Sequence, residues 1–355
     1  MRVTPLLLLL TAACGGSIAD STYDKAVDDT DVSGDTAGGD DSSSTDDSSS
    51  TDDSSATDDS SSTDDSSSTD DSSSTDDSSS GDDTSDPGGD TPETTDYREA
   101  GPWAVTVTTG SEVIDADCTL SYSVFAPTDG TDSGHVMLAH GFSRTAANVA
   151  DWAGHLASWG YVVVTPELCF SSFFDADHPR NALNMVTLAD AVWGAEAVTY
   201  VGHSAGGLSA VLAAGLDPNA LGAVGLDAVD SAETDGLIAA PTITLPLYGL
   251  FGESGLCNSN NNGVAMLDAA PNSRDLRVPG ADHCDFESPS DDICKFLCAG
   301  SGSAYTDEEI GLTVRGMTTA FVAWQTGDDA GGEDWWEIGG DWYSYLSAYG
   351  IVVEI

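Results

Sequence analysis

Residues 198–215 read VTYVGHSAGGLSAVLAAG, and the rest of the chain can be placed around this run. A short apolar segment (Val198–Val201) leads into the motif GHSAG (Gly202–Gly206), and small residues with helical character follow. In a turn this tight, side chains at the two outer glycines would collide with neighbouring backbone. The serine at the apex then exposes its hydroxyl, and the first amides of the helix point toward it. The run therefore predicts a strand, a sharp turn that presents Ser204, and a helix.

The charge of the chain excludes one class of partner. The 355 residues include 61 acidic and nine basic side chains, for a formal net charge of −52. Residues 99–355 alone hold 35 of the acidic and six of the basic side chains. A surface this negative repels the phosphates of nucleic acids, so we predict that the protein binds no nucleic acid.

The first residues are typical of an export signal. Met1 and Arg2 precede an apolar run (Pro5–Leu10) that is too short to span a bilayer, and small residues lead to Cys14. The run LTAAC, which ends at Cys14, resembles the bacterial lipobox, in which the cysteine is lipidated. We therefore expect a signal peptide over residues 1–13, a lipid anchor at Cys14, and display on the outer membrane or cell surface. Secretion without an anchor is the alternative.

Residues 14–98 are dominated by Asp, Ser, Thr and Gly. Six hexads of the form TDDSSS fill residues 45–80, with Ala56 as the one substitution. A segment with so few apolar side chains cannot bury a core, so we predict a disordered acidic tether. Its paired aspartates lack the glycine turn and terminal glutamate of an EF-hand loop, which favours loose ion condensation over a calcium site.

Residues 99–355 alternate between strand and helix patterns and are predicted to form the folded domain. Antiparallel strands are predicted at Trp103–Thr109 and Cys118–Ala126. Buried strands are predicted at His135–Ala139, Tyr161–Pro166, Val198–Val201, Leu221–Leu226, Leu245–Phe251 and Arg274–Val278. A capping box at Thr306 predicts a last helix that ends before Gly327.

This alternation predicts an α/β domain with a mostly parallel sheet and helices on both faces. Only 17 residues lie between Asp227 and Leu245, so we expect no large cap domain at that point. The substrate site should therefore be open.

A histidine late in the chain is the candidate general base. A serine hydroxyl is a weak nucleophile until a base takes its proton. His283 follows the last predicted strand of the domain's parallel series, which agrees with the chain order serine, acid, histidine. We expect His135, His155 and His178 to be structural, and His203 to point away from the site.

Three carboxylates compete for the third position. Asp227 ends the strand after the GHSAG helix, Glu253 ends the following strand, and Asp230 lies in the loop after Asp227. One buried carboxylate is enough to hold the imidazole tautomer and stabilise its cationic form. We take Asp227 as the acid and Glu253 as the main alternative.

Two backbone amides are the candidate oxyanion hole. One belongs to Ala205, directly after the serine, and the other to Phe142 in the run HGF at the end of the first buried strand. Together with Ser204 and His283, these groups predict acyl transfer through an acyl-enzyme. Such a reaction needs neither cofactor nor metal.

Three motifs resemble those of the α/β-hydrolase superfamily: HGFSR (residues 140–144), LASWGYVVV (156–164) and GHSAGG (202–207). They look like the cutinase-like polyester hydrolases and the chlorophyllase-like serine esterases, a resemblance that implies an α/β-hydrolase fold and cleavage of carboxylic esters. The segment GLDAVD (225–230) is similar to the acid-bearing segments of chlorophyllases and pancreatic-type lipases, with Ala228 in place of proline. That likeness favours Asp227, whereas in the polyester hydrolases the acid follows the next strand, where this chain has Glu253.

Six cysteines follow Cys14 in the chain: Cys118, Cys169, Cys257, Cys284, Cys294 and Cys298. An even set in an exported domain predicts up to three disulfides of undetermined pairing. Because no paired C-x-x-C spacing occurs, no zinc site is predicted. A bridge at Cys284 would hold the loop of His283 in place.

These observations predict a monomeric, surface-tethered serine esterase that cleaves carboxylic esters. The loops that carry Phe142, Phe170, Phe173 and Phe174 are expected to form an apolar wall for the acyl or aryl group, although the same side chains could simply anchor those loops. Two other functions stay open. One is a lipase or cutinase-like polyesterase acting on lipid or polymer substrates, and the other is a binding lipoprotein that keeps the fold without turnover.

Overall fold

The computed structural model describes residues 91–128, 132–298, 300 and 302–355. The predicted signal peptide, Cys14 and the TDDSSS hexads lie outside the described residues. The division of the chain into residues 1–13, 14–98 and 99–355 therefore stays a prediction.

The described residues form strands and helices in alternation. The strands are β1 (Val105–Val113), β2 (Thr119–Pro127), β3 (His135–Ala139), β4 (Val162–Pro166), β5 (Ser171–Ser172), β6 (Asp175–Ala176), β7 (Val198–His203), β8 (Ala220–Leu226), β9 (Leu247–Phe251), β10 (Ser273–Arg277) and β11 (Val353–Glu354). The α-helices are α1 (Ala150–Ser158), α2 (His178–Trp193), α3 (Ala205–Leu216), α4 (Asp235–Ala239), α5 (Asn262–Asp268), α6 (Asp292–Cys298), α7 (Asp307–Thr326) and α8 (Asp341–Tyr349).

Nine of the strands form one mixed sheet in the order β1-β2-β4-β3-β7-β8-β9-β10-β11, and β5 and β6 form a separate hairpin. The six strands from β4 to β10 in this order run parallel to one another. Antiparallel pairs occur only toward the two edges, where β2 pairs with β1 and β4 and where β11 pairs with β10 in the described residues. The predicted α/β fold with a mostly parallel sheet is thus confirmed.

Alternating side chains of the central strands contribute to two separate cores. In β3, Val136 and Leu138 lie in one core, and Met137 and Ala139 lie in the other. Helices α1, α7 and α8 pack on the first face, and α2, α3 and α5 pack on the second. A sheet covered on both faces requires such continuously apolar strands, and the predicted helices on both faces are present.

The chain adds structure beyond the predicted last helix. Helix α7 begins and ends as predicted, because the Thr306 hydroxyl accepts from the backbone N–H of Glu309 and Gly327 adopts φ 77°. Three fully buried tryptophans then pack on the same face: Trp335 and Trp336 precede α8, and Trp342 belongs to it. Strand β11 follows α8. The pattern did not predict α8, since this helix is short, rich in aromatic residues and bounded by glycines.

Packing begins before residue 99. Tyr97 is 3% exposed, and its hydroxyl donates to Oδ2 of Asp329 at 2.7 Å. The Thr95 hydroxyl donates to the same oxygen at 3.1 Å. The core therefore includes Tyr97, which lies within the predicted tether (residues 14–98).

The carboxyl ends of the parallel strands carry short insertions. Between β8 and β9, the chain forms only the five-residue helix α4 and a 3-10 turn (Ala240–Thr242). This agrees with the absence of a large insertion predicted there from the residue count. None of the helices in the described ranges is long and apolar enough to cross a membrane.

Candidate active site

Ser204 lies in the sharp turn between β7 and α3. Its backbone has φ 57° and ψ −127°, a conformation that residues with a side chain rarely adopt. A Cβ on Gly202 would overlap the carbonyl group of Gly206, and a Cβ on Gly206 would overlap the carbonyl oxygen of His140. The two glycines therefore permit the turn, and the surrounding structure holds Ser204 in a strained conformation.

His283 lies beside Ser204. It opens a 3-10 turn (His283–Phe286) after β10, and Asp282 caps that turn by accepting from the backbone N–H of Cys284 at 2.8 Å. Nε2 of His283 lies 3.0 Å from Oγ of Ser204, and both side chains are buried. At this distance an unprotonated Nε2 can accept the hydroxyl proton.

Asp227 lies on the other side of the imidazole. Its Oδ2 is 2.6 Å from Nδ1 of His283, and the residue is fully buried. The backbone N–H of Gly252 donates to Oδ1 at 3.0 Å. Because a buried carboxylate accepts from Nδ1–H, the imidazole is held in the tautomer whose Nε2 faces the serine.

The two other carboxylates considered for this position are engaged elsewhere. Glu253 is exposed, and its Oε1 accepts from the backbone N–H of Gly280 at 3.0 Å. Asp230 accepts from the backbone N–H groups of Gly236 and Leu237 at the start of α4. Of the three candidates, the structure brings Asp227 to His283.

Asn258 also contacts the Asp227 carboxylate, although no motif in the sequence points to it. Its Nδ2 lies 3.1 Å from Oδ2 of Asp227, and the residue is 1% exposed. It belongs to the run CNSNNNG (residues 257–263), whose composition is typical of a surface loop. Residues 259–261 of this run all have φ between 50° and 58°, which asparagine tolerates better than most residues. An asparagine-rich run in the loop between β9 and α5 is the one signal that the sequence offers.

Two buried histidines, His203 and His140, adjoin the site. The ring of His203 lies 4.6 Å from that of His283, and its Nε2 donates to the His283 carbonyl oxygen at 3.0 Å. Burial, together with the nearby His283, holds the pKa of His203 well below its usual range. Burial likewise lowers the pKa of His140 to about 4, and its Nε2 accepts from the backbone N–H of Leu168. The expectation that His203 points away from the site is wrong, because it packs against His283.

Ser204 opens onto a cleft of about 540 Å³. Phe142 and Phe173, whose ring centroids are 6.4 Å apart, line it together with Ile293 and Leu297 of α6. Apolar side chains at a polar reactive centre are suited to an acyl or aryl group.

The predicted apolar wall needs one correction. Phe170 does not line the cleft but lies in the core, with the guanidinium of Arg180 4.1 Å above its ring. The hairpin of β5 and β6 turns immediately after it and carries Phe173 and the exposed Phe174 outward. Of the four phenylalanines, Phe142 and Phe173 line the cleft, Phe170 lies in the core, and Phe174 is exposed on the surface.

The two predicted oxyanion amides lie along the same cleft as Ser204. A Cβ on Gly141 would meet the Ser204 Cβ at 3.0 Å, so the backbone before Phe142 lies directly against the serine. Ala205 is the first residue of α3, and the first N–H groups of a helix have no acceptor within it. Both Phe142 and Ala205 line the cleft.

All six cysteines of the folded part form disulfides, as predicted. The pairs are Cys118–Cys169, Cys257–Cys298 and Cys284–Cys294. Helix α6 supplies Cys294 and Cys298, and their partners are the residues adjacent to His283 and Asn258. The short helix is thus bonded covalently to two loops that contribute to the site.

The cysteines do not offer a metal site. The sulfur atoms of Cys284, Cys294 and Cys298 lie within 4.8 Å of one another. Each of them belongs to a disulfide, so none is a thiolate, which is the form that binds zinc.

The arrangement joins a hydroxyl, an imidazole and a carboxylate in one hydrogen-bonded series that ends on an apolar cleft. Such a series can deliver a nucleophilic oxygen to an electrophilic carbon and can return the proton to a leaving group.

No model of a known protein family matches the chain, and no curated protein matches it.

Proposed function

We propose that this protein is a serine hydrolase that cleaves carboxylic esters. The observation that carries the proposal is the series Ser204 Oγ, His283 Nε2, His283 Nδ1 and Asp227 Oδ2, with successive contacts of 3.0 and 2.6 Å. These residues follow one another in the chain in the order serine, acid, histidine. That order and the strained turn at Ser204 support assignment to the α/β-hydrolase superfamily.

The proposed reaction begins when Ser204 Oγ attacks the ester carbonyl carbon while His283 Nε2 takes the hydroxyl proton. The carbonyl oxygen becomes an oxyanion, which the amides of Phe142 and Ala205 stabilise. His283 then returns its proton to the departing alcohol oxygen, leaving an acyl-enzyme. A water molecule, deprotonated by His283, releases the carboxylic acid and restores Ser204.

Asp227 would keep His283 in the reactive tautomer during both steps and stabilise the imidazolium that forms. Its burial supports this role, because a carboxylate out of water interacts strongly with a neighbouring positive charge. Neither step needs a cofactor.

A second candidate function is supported by the surface beside the cleft. Large apolar side chains are exposed on the β5–β6 hairpin, on the loop between β9 and α5, and on α6: Phe173, Phe174, Leu256, Ile293, Phe296 and Leu297. Three of them, Phe173, Ile293 and Leu297, also line the cleft. An exposed apolar rim favours contact with an insoluble ester such as a lipid aggregate or a polyester.

The experiment combines labelling with turnover. The wild-type protein should react with a fluorophosphonate at Ser204 and hydrolyse p-nitrophenyl esters, whereas Ser204→Ala should do neither. A folded wild-type protein that takes up no label and cleaves no ester would contradict the proposal and favour a non-catalytic binding protein. Preference for emulsified triglyceride or polyester film over soluble esters, reduced in Phe174→Ser, would select the second candidate.

We further propose that the protein acts outside the cytoplasm as a tethered lipoprotein. Its three disulfides are typical of proteins from oxidising compartments. Metabolic labelling with a fatty-acid analogue, lost in Cys14→Ser, tests the anchor; a protein released into the medium without label would be secreted free.

A further inference from the structure

We infer that Asn258 is a positioning residue whose side-chain amide orients the Asp227 carboxylate toward His283. The inference rests on the proposed function, because it concerns the acid of the same hydrogen-bonded series. It assigns a role to a loop residue that touches neither Ser204 nor the cleft.

The contacts of Asn258 point in two directions. Its Nδ2 donates to Oδ2 of Asp227 at 3.1 Å and to the carbonyl oxygen of Glu253 at 2.8 Å. Its Oδ1 accepts from the backbone N–H of Gly255 at 2.8 Å and from that of Asn261 at 3.3 Å. Two backbone donors on Oδ1 determine which way the amide lies, so Nδ2 must face the carboxylate.

This geometry leaves Asp227 surrounded by donors. Oδ1 accepts from the backbone N–H of Gly252, and Oδ2 accepts from His283 and Asn258. A fully buried carboxylate is costly unless such donors satisfy it, and donors stabilise its ionised form. Without Asn258, Oδ2 would keep His283 as its one polar side-chain partner, and the carboxylate could rotate away from the imidazole plane.

The loop around Asn258 is held in place from both sides. Cys257, the preceding residue, is bonded to Cys298 of α6. Asn261 donates through Nδ2 to the carbonyl oxygen of Gly252, the residue whose N–H binds Asp227. The loop thus fixes two of the donors to Asp227 at once, which is what a positioning role requires.

The test compares two substitutions at one position. Asn258→Ala removes the amide, and Asn258→Asp keeps its shape but replaces the donor with an acceptor. Asn262→Ala is the matched control, because Asn262 bonds the backbone of Asp230 and makes no contact with Asp227. Melting temperature is measured for all variants alongside kcat and KM from pH 5 to 10.

For Asn258→Ala we expect kcat to fall by about 10- to 100-fold with KM unchanged, since only the orientation of the reacting groups is lost. Asn262→Ala should keep the wild-type kcat and KM.

For Asn258→Asp we expect activity that falls with rising pH. At low pH, one proton shared between the two carboxylates still supplies a donor to Asp227. At high pH that proton leaves, and two like charges face each other. If Asn258 only filled space, a folded Asn258→Ala variant would keep the wild-type kcat at every pH, and that result would overturn the inference.

A readout without turnover separates this inference from the proposed function. The Nδ1 proton of His283 should give a low-field ¹H NMR signal that is missing in His283→Ala. In Asn258→Ala its chemical shift should differ from that of wild type, because the Asp227 carboxylate that accepts this proton is no longer held by the amide. This holds even if no ester is ever cleaved. A signal at the wild-type chemical shift, in a folded variant, would refute the positioning role.

Discussion

Arg144 forms a bidentate ion pair with the buried carboxylate of Glu287: Nε lies 2.8 Å from Oε2, and Nη2 lies 2.6 Å from Oε1. Arg144 follows the loop of Phe142, and Glu287 follows the 3-10 turn of His283. The ion pair therefore joins the loop of Phe142 to the loop that carries His283. A planar guanidinium suits such two-point contact better than the ammonium of lysine.

Glu287→Gln should lower both stability and turnover. The substitution replaces two buried charge-assisted hydrogen bonds with neutral ones, while Arg144 keeps the half-exposed Asp291 as an ionic partner at 3.1 Å. We therefore expect the free energy of unfolding to fall by about 2 kcal/mol. The control is Asp115→Asn, which weakens the exposed pair between Arg180 and Asp115 and should leave the melting temperature unchanged. Urea unfolding and ester turnover measure the two effects; a variant as stable as wild type would contradict the expected cost.

Asp227→Asn should reduce kcat by about four orders of magnitude, because an amide at this position favours the wrong imidazole tautomer. Glu253→Gln removes a carboxylate that bonds the backbone of Gly280 and should change kcat by less than about threefold. The pair of variants decides between the two acids named from the sequence. A larger loss in Glu253→Gln than in Asp227→Asn would mean that the acid is assigned wrongly.

The double variant Cys284→Ser/Cys294→Ser should lose activity as well as stability, because the bridge lies next to His283. Cys118→Ser/Cys169→Ser is the matched control. That bridge links the segment before β2 to the loop after β4, so its loss should lower the melting temperature while leaving kcat of the folded protein near that of wild type. Equal kcat in both double variants would show that the bridge at Cys284 has no special effect on the site.

Stability should fall in mild acid through His155. Burial lowers its pKa to about 4 from an ordinary value near 6.5, so the unfolded chain binds a proton between these values and the folded protein does not. The advantage of wild type over His155→Gln in unfolding free energy should therefore shrink by roughly 3 kcal/mol between pH 7 and pH 4. Burial, together with the nearby Asp268, raises the pKa of Asp275 to about 8, so this group stabilises the folded protein in acid rather than destabilising it. Because wild type and His155→Gln share Asp275, its effect cancels when their unfolding free energies are subtracted. If the difference in unfolding free energy between wild type and His155→Gln stayed constant with pH, protonation of His155 would not be a cause of the loss of stability in acid.

The strand, turn and helix around Ser204 follow from the sequence because the glycines and the apolar run act locally. The acid does not follow in the same way. Asp227 and Glu253 each end a parallel strand at the same edge of the sheet, and only the paths of two loops decide which carboxylate reaches His283. Asn258 could not be identified from the sequence for a related reason. Its amide contacts Asp227, which lies 31 residues earlier in the chain, while its neighbours have the composition of an ordinary loop.

The disulfide pairing was equally beyond sequence reasoning. Cys118 and Cys169 meet because β2 pairs with β4 rather than with β3, its neighbour in sequence. No spacing rule contains that information. The spacing of Cys294 and Cys298 places both on one helix, but their partners are set by the loops that pack against it.

Strand β1 ends one side of the sheet and presents nine residues whose outer edge has no strand beside it in the described ranges. Glu112 is its one charged residue, so the strand itself offers little to deter a second copy from pairing with it. Mutual repulsion between strongly acidic domains must then be the main barrier to pairing of β1 with a second copy. Because salt shortens the range of this repulsion, concentrated protein should remain dispersed in dilute buffer and begin to associate edge to edge as ionic strength rises.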